Sequence, residues 1–402
     1  MLTPDTPQNK VIMGIDTPQN KLIMRIGNMI TRYYSDLSKW FLPGKAIIIY
    51  GPRQVGKTTL LSNFLSQEQA KYLLINGDNI RAREVFSSQS LSTLSDFVEG
   101  YSLLVIDEAQ MIPSIGKSLK LLVDSKPDLR IIATGSSSFE LAGQVGEPLT
   151  GRKRTLTMFP VWSGELLNQM NRYELNELLP ELLIYGFYPE VINTPGILRK
   201  QEILEEITNS YLLKDILVFE RVKSSKMILD VLRLLAYQVG KEVSVSEIAQ
   251  QVGLDKKTVA RYLDLLEKAF VIINVRGYNR NLRNEITSKS KYYFYDNGVR
   301  NAVIANFNRL ELRNDIGMLW ENHVFMERLK KRSYQNLYAN VYFWRTWQQQ
   351  EIDIVEERDG KLFGYECKWK NGRAKAPKAF MEAYPESSWE VIDQNNYANF
   401  IL

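Results

Sequence analysis

The residues that could do chemistry begin at Gly51. Gly51-Pro52-Arg53-Gln54-Val55-Gly56-Lys57-Thr58 has the spacing G-x-x-x-x-G-K-[ST], preceded by Ile47-Ile48-Ile49 and followed by a helix-like run at 59–65. Strand, glycine-containing turn and helix in that order make a phosphate cradle. Glycines let successive N–H groups turn inward, and the helix adds the positive end of its dipole. In such a cradle Lys57 reaches the β- and γ-phosphates and the Thr58 hydroxyl ligates Mg²⁺. The candidate nucleotide-binding stretch is Gly51, Pro52, Arg53, Gln54, Val55, Gly56, Lys57, Thr58 and Thr59, with ATP and Mg²⁺ as its ligands.

Hydrolysis needs a second, acidic strand. Leu103-Leu104-Val105-Ile106-Asp107-Glu108 supplies one. Its apolar run suits a strand buried on both faces, and its carboxylates fall at the C-terminal end, where open α/β sheets bind ligands. Asp107 is expected to hold Mg²⁺, and Glu108 to polarise the attacking water. A hydroxyl near the end of the fourth strand, Ser136 or Thr134, could touch the γ-phosphate or that water. Ser136 is preferred, with a plain Gly/Ser turn as the alternative.

A second constellation lies near the C-terminus. Glu321 sits on a helical run at 318–330, Asp353 on a strand at 351–355, and Glu366-Cys367-Lys368 on a strand at 363–369 after the turn Asp359-Gly360. Alternation puts Glu366 and Lys368 on one face, with Asp353 on the adjacent hairpin strand. Asp353 and Glu366 could share a second Mg²⁺ or Mn²⁺, and Glu321 would complete its shell. Lys368 would lower the pKa of the attacking water or offset phosphate charge. This order of acids resembles the PD-(D/E)xK nuclease fold, many of whose members keep only a binding or structural role.

Between the two lies Ser244 to Lys268, with a turn at Gly253 and a helix start at Asp255. It has the form of a helix-turn-helix whose second helix points Lys256, Lys257, Thr258 and Arg261 outward. A wing would begin near Val271. From Lys256 to Arg300 there are ten Lys/Arg against four Asp/Glu, a surplus of six, whereas the whole chain carries +5. That concentration suits a DNA backbone. A packing module with solvated charges is the alternative.

These elements need a large frame. A chain of 402 residues exceeds one compact core and is expected to hold two or three domains. One cysteine, Cys367, excludes a disulfide framework and a thiolate zinc site, one histidine excludes a His-rich metal site, and both fit a reducing cytoplasm. No apolar run is long enough to span a bilayer, and the N-terminus lacks the pattern of a signal peptide. Asp5-Thr6-Pro7-Gln8-Asn9-Lys10 recurs at Asp16-Thr17-Pro18-Gln19-Asn20-Lys21, a local duplication in an N-terminal arm. Ile30, Tyr33, Tyr34, Leu37 and Phe41 have helical spacing, so 25–42 is expected to be an amphipathic helix. Alternating strands and helices follow, with strands at Ala46–Tyr50, Tyr72–Asn76, Leu103–Asp107, 130–134 and 155–159, which argues for a parallel sheet. Residues 161–235 read as helical.

The phosphate-loop residues, with Ile106-Asp107-Glu108, Thr134-Gly135-Ser136-Ser137 and Thr150-Gly151-Arg152, resemble the AAA-type ATPases of prokaryotes that carry a C-terminal domain of unknown function. Tyr185-Gly186-Phe187-Tyr188-Pro189-Glu190, Tyr293-Phe294-Tyr295-Asp296-Asn297-Gly298 and Leu319-Trp320-Glu321-Asn322 extend the resemblance. It implies an ATPase core with strand order 5-1-4-3-2 or a close variant. Ring-forming ATPases often place an arginine near Arg152 against a neighbouring subunit's nucleotide. Arg152 is the first candidate and Arg154 the second, and a homo-oligomer would follow. A solvated basic turn is the alternative. The expected organisation is an arm (1–24), an AAA-type parallel-sheet ATPase core (25–160), a helical lid or linker (161–225), a winged helix-turn-helix (226–300) and an α/β nuclease-like domain (301–402). The expected function is an Mg²⁺-dependent ATPase acting on DNA. The alternative is a nucleotide-dependent switch that binds protein partners and carries an inactive nuclease fold.

Overall fold

The computed structural model describes residues 30–135, 149–212, 225–278, 289–370 and 374–402. The N-terminal repeat and Ser136 lie outside them. Strands β1 (Ala46–Tyr50), β2 (Tyr72–Asn76), β3 (Leu103–Asp107), β4 (Arg130–Gly135) and β5 (Lys153–Thr157) form a parallel sheet in the order β2-β3-β4-β1-β5. This is the 5-1-4-3-2 order that the resemblance implies. Every residue of β1 and β3 is buried, as continuous apolar strands covered on both faces must be. β2 lies at the edge and alternates, leaving Leu74 half exposed. The register pairs Tyr50 with Gly135 and Asn76 with Asp107, so the C-terminal ends of these strands line one rim of the sheet.

The helix expected at 25–42 is not formed over its described part, which holds one 3-10 turn, Leu37–Trp40, with an Asp36 side-chain cap. Tertiary bonds win over the helical spacing. The Tyr33 N–H donates to Glu165 Oε1 at 2.6 Å, and Arg32 Nη2 donates to the Phe159 carbonyl at 2.6 Å. The stretch expected to be helical at 161–235 also changes character after residue 197. Ile197–Glu206 is α-helical, and Ile207–Leu212 is a π-helical turn. There the Thr208 hydroxyl donates to the Leu204 carbonyl at 2.8 Å, a back-bond that loosens the helical ladder.

The remainder is organised by a second sheet. β6 (Glu242–Val243), β7 (Ile272–Gly277), β8 (Ser290–Phe294), β9 (Asn340–Arg345), β10 (Glu351–Arg358), β11 (Lys361–Cys367) and β12 (Ser388–Ile392) run in the order β12-β11-β10-β9-β7-β8-β6. β7 pairs antiparallel with β8 and parallel with β9, so one sheet runs across residue 300. Two helices, α1 (Val245–Val252) and α2 (Lys256–Lys268), flank it.

The twenty-residue helix α3 (Ile316–Gln335) ties the two sheets together. Lys330 Nζ donates to the Val161 carbonyl at 2.9 Å, and Glu327 accepts the Ser163 N–H at 2.7 Å. The later stretches of the resemblance meet here. The Phe187 N–H donates to Asp296 at 2.6 Å, and the Asn322 amide bonds both the N–H and the carbonyl of Phe294, at 2.7 and 3.0 Å.

Candidate functional site

The loop after β1 turns on two glycines. A Cβ on Gly51 would lie 2.0 Å from the Met158 carbonyl oxygen, so only glycine fits that approach. Gly56 has φ +94°, a left-handed conformation, and caps the helix Lys57–Gln67. Lys57 is buried, and its Nζ donates to the Gly51 and Pro52 carbonyls at 2.9 and 2.7 Å. The Thr58 hydroxyl donates to Asp107 Oδ2 at 2.7 Å, and the Thr134 hydroxyl donates to Asp107 Oδ1. Glu108 follows with φ +51°, unusual for a residue with a side chain, and accepts a hydrogen bond from the Gln110 amide. The loop and Glu108 line a cavity of about 950 Å³, which Thr31, Arg32, Pro189 and Asn193 also line. Thr58, which lines this cavity, and Asp107 behind it are hard oxygen donors in contact, a set that fits Mg²⁺.

Glu321, Asp353, Glu366 and Lys368 also converge, and two of them, Glu321 and Asp353, meet a residue that the motif does not contain. Lys291, on β8 and 1% exposed, places Nζ 2.5 Å from Glu351, 3.3 Å from Glu321 and 3.5 Å from Asp353. Asp353 Oδ2 accepts the Cys367 N–H at 2.9 Å, the Tyr293 hydroxyl donates to Glu321 at 2.6 Å, and Lys368 pairs with Glu366 at 2.6 Å. Burial and the Asp353 charge push the Glu321 carboxyl up to about 8. The acids expected to share a divalent ion therefore have an internal ammonium among them, and the set does not fit a second Mg²⁺ or Mn²⁺. Among the described residues no group of three or more His, Cys, Asp and Glu side chains is arranged to hold a metal ion.

On α2, Lys256, Lys257 and Arg261 are exposed. The Thr258 hydroxyl instead donates to Asp255 at 2.6 Å and serves the helix cap. The local charge surplus is smaller at the surface than in the sequence. Lys291 and Arg300 are buried, Arg300 bonding Asp315 at 2.5 Å, while Lys268 pairs with Asp264 at 2.7 Å.

Residues 43–167 match the AAA domain family, 176–310 a domain of unknown function (DUF8612) and 316–397 another (DUF4143). Residues 43–167 are an AAA-type P-loop ATPase domain. The chain is 29% identical over 309 residues to an uncharacterized protein of Haemophilus influenzae, covering 71% of this chain and 74% of that one. It is 27% identical to an uncharacterized protein of Mycobacterium tuberculosis, with 80% and 70% covered. With an uncharacterized protein of Methanocaldococcus jannaschii it shares 25% identity, with 80% and 74% covered. Among solved structures, the Thermotoga maritima RuvB Holliday junction branch migration motor aligns at a TM-score of 0.27 and 15% identity, covering 63% of this chain and 89% of that one.

Within the ATPase domain, Arg152 lies far from the phosphate loop. Its carbonyl accepts the Ala46 N–H at the start of β1, and its guanidinium pairs with Asp124. The loop begins at the other end of that strand, about 16 Å away at ~3.3 Å per residue. Arg154 stacks over Trp40 at 4.5 Å. Sequence reasoning missed Arg32, which donates to the Val55 carbonyl of the phosphate loop and to Glu165. Its segment reads as a surface helix, and no spacing links it to a loop more than twenty residues on. Lys291 was missed because it comes from the strand before the C-terminal motif. No helix among the described residues is long and apolar enough to cross a membrane.

Proposed function

We propose that this protein is an Mg²⁺-dependent ATP hydrolase that acts on DNA. One observation carries the hydrolytic reading: Thr58 and Glu108 line a nucleotide-sized cavity, and the Thr58 hydroxyl is bonded to Asp107, which also accepts from Thr134. When bound, Mg²⁺ would neutralise phosphate charge. The loop amides and the N-terminus of helix Lys57–Gln67 hold the phosphates, and Lys57 leaves the Gly51 and Pro52 carbonyls to meet them. Glu108, held by the Gln110 amide, orients the attacking water and takes up its proton. Ser136 remains the proposed contact to the γ-phosphate. Arg152 can serve only a neighbouring subunit's nucleotide, so that role goes with a homo-oligomer.

The DNA reading rests on the order helix, short strand, two helices and hairpin from Ser225 to Phe294, the order of a winged helix, with Lys256, Lys257 and Arg261 on the exposed face of α2. These residues would meet the phosphate backbone, and the nuclease-like C-terminal domain would hold the strand. The continuity of β7 with β9 favours a second reading, in which this module is a packing element of a nucleotide switch that binds protein.

The test is the steady-state ATP hydrolysis rate with Mg²⁺, without and with single-stranded, duplex and branched DNA. Stimulation by one form, lost in Lys57→Ala, supports the proposal. Turnover indifferent to every DNA form moves the assignment to the protein-partner switch. Turnover that survives Lys57→Ala overturns the hydrolytic site.

A further inference from the structure

We propose that the C-terminal cluster carries its own cation. The Lys291 ammonium holds the place that a divalent ion would take among Glu321, Glu351 and Asp353, so this domain grips without metal-dependent cutting.

The argument is one of charge and access. A divalent ion in an oxygen site needs carboxylates whose charge is not already matched. Here each acid has a basic partner. Lys291 reaches three of them, Lys368 pairs with Glu366 at 2.6 Å, and Arg345 lies 3.8 Å from Glu351. Asp353 has committed its second oxygen to the Cys367 N–H. The ammonium is also fixed. Lys291 is the second residue of β8, paired with Glu242 of β6 on one side and Val275 of β7 on the other, and is 1% exposed. A metal would have to share the cluster with a buried like charge. The strand that delivers it belongs to the module before the motif, which ties the closing of this site to the seating of the β7–β8 hairpin on β9.

The experiment is a Mn²⁺ titration of the full chain followed by electron paramagnetic resonance, without nucleotide. It compares wild type, Asp353→Asn, Lys291→Met and the double variant. Binding at Thr58 and Asp107 is common to all four and subtracts out. Wild type and Asp353→Asn are expected to bind the same number of ions. Lys291→Met should gain one site, and adding Asp353→Asn in the double variant should abolish that gain. A wild-type site that disappears in Asp353→Asn overturns the proposal, as does a folded Lys291→Met that gains none. Should Lys291→Met fail to fold, the first pair decides alone. Neither outcome depends on ATP turnover or DNA, so a failure here is distinct from a failure of the ATPase reading.

Discussion

The molecule gathers strand-end carboxylates twice, and the two gatherings differ in what their oxygens touch. At the end of β3, Asp107 receives two hydroxyls, from Thr58 and Thr134, beside an open cavity. On β10, Asp353 receives a backbone N–H and faces the buried ammonium of Lys291. Hydroxyls satisfy lone pairs and leave the negative charge for an incoming cation. An ammonium satisfies the charge itself. The same residue type is therefore left open to a cation in one sheet and enclosed in an ionic cluster in the other, and the partner decides which.

The largest expected effect separates the two aspartates. Asp107→Asn should lower ATP turnover at least a hundredfold, as loss of a main charge-stabilising group does. Asp353→Asn should leave turnover within about twofold, because its contacts lie in the second sheet. Steady-state phosphate release measures both. Comparable losses in the two variants would mean that the sites act as one.

Stability should rank the partners the other way. Removing the ammonium in Lys291→Met leaves buried acids uncompensated and should cost about 3–5 kcal/mol. Removing the Thr58 hydroxyl, which donates one hydrogen bond to Asp107, in Thr58→Ala should cost about 1 kcal/mol. Urea denaturation of the two proteins, read as midpoint shifts at constant slope, makes the comparison. A Lys291→Met protein as stable as Thr58→Ala would show that the ammonium is not part of the core.

The ATPase sheet was legible because its signals are local. Apolar runs marked β1, β2 and β3 to the residue, and the glycine spacing marked the loop between strand and helix. What failed was non-local. The segment at 30–42 has helical spacing, but Glu165 and the Phe159 carbonyl, more than a hundred residues away, capture Tyr33 and Arg32 and hold the chain in a turn. The C-terminal motif was legible as far as Glu321, Asp353, Glu366 and Lys368, which do converge. Its counter-ion was not, because Lys291 stood in the sequence among the cations of a presumed DNA-binding surface. A charge count treats every lysine as exposed, whereas burial of Lys291 and Arg300 removes both from that surface.

The smallest effect tests how the closed cluster is charged. Burial and the neighbouring Asp353 raise the Glu321 carboxyl from the ordinary 4.5 to about 8, against the opposing pull of Lys291 and the Tyr293 hydroxyl. Across that window the folded protein holds a proton that the unfolded chain releases. Stability from Glu321 is therefore full below the ordinary carboxylate value and is lost as pH rises through the folded one. Glu321→Gln, neutral at every pH, should flatten the decline in urea midpoint between pH 5 and 8 relative to wild type. With Glu321 protonated, Lys291 is balanced by Glu351 and Asp353. An unchanged slope in Glu321→Gln would instead make Glu321 a third charged partner of the ammonium, and the Lys291→Met penalty should then shrink when the two changes are combined.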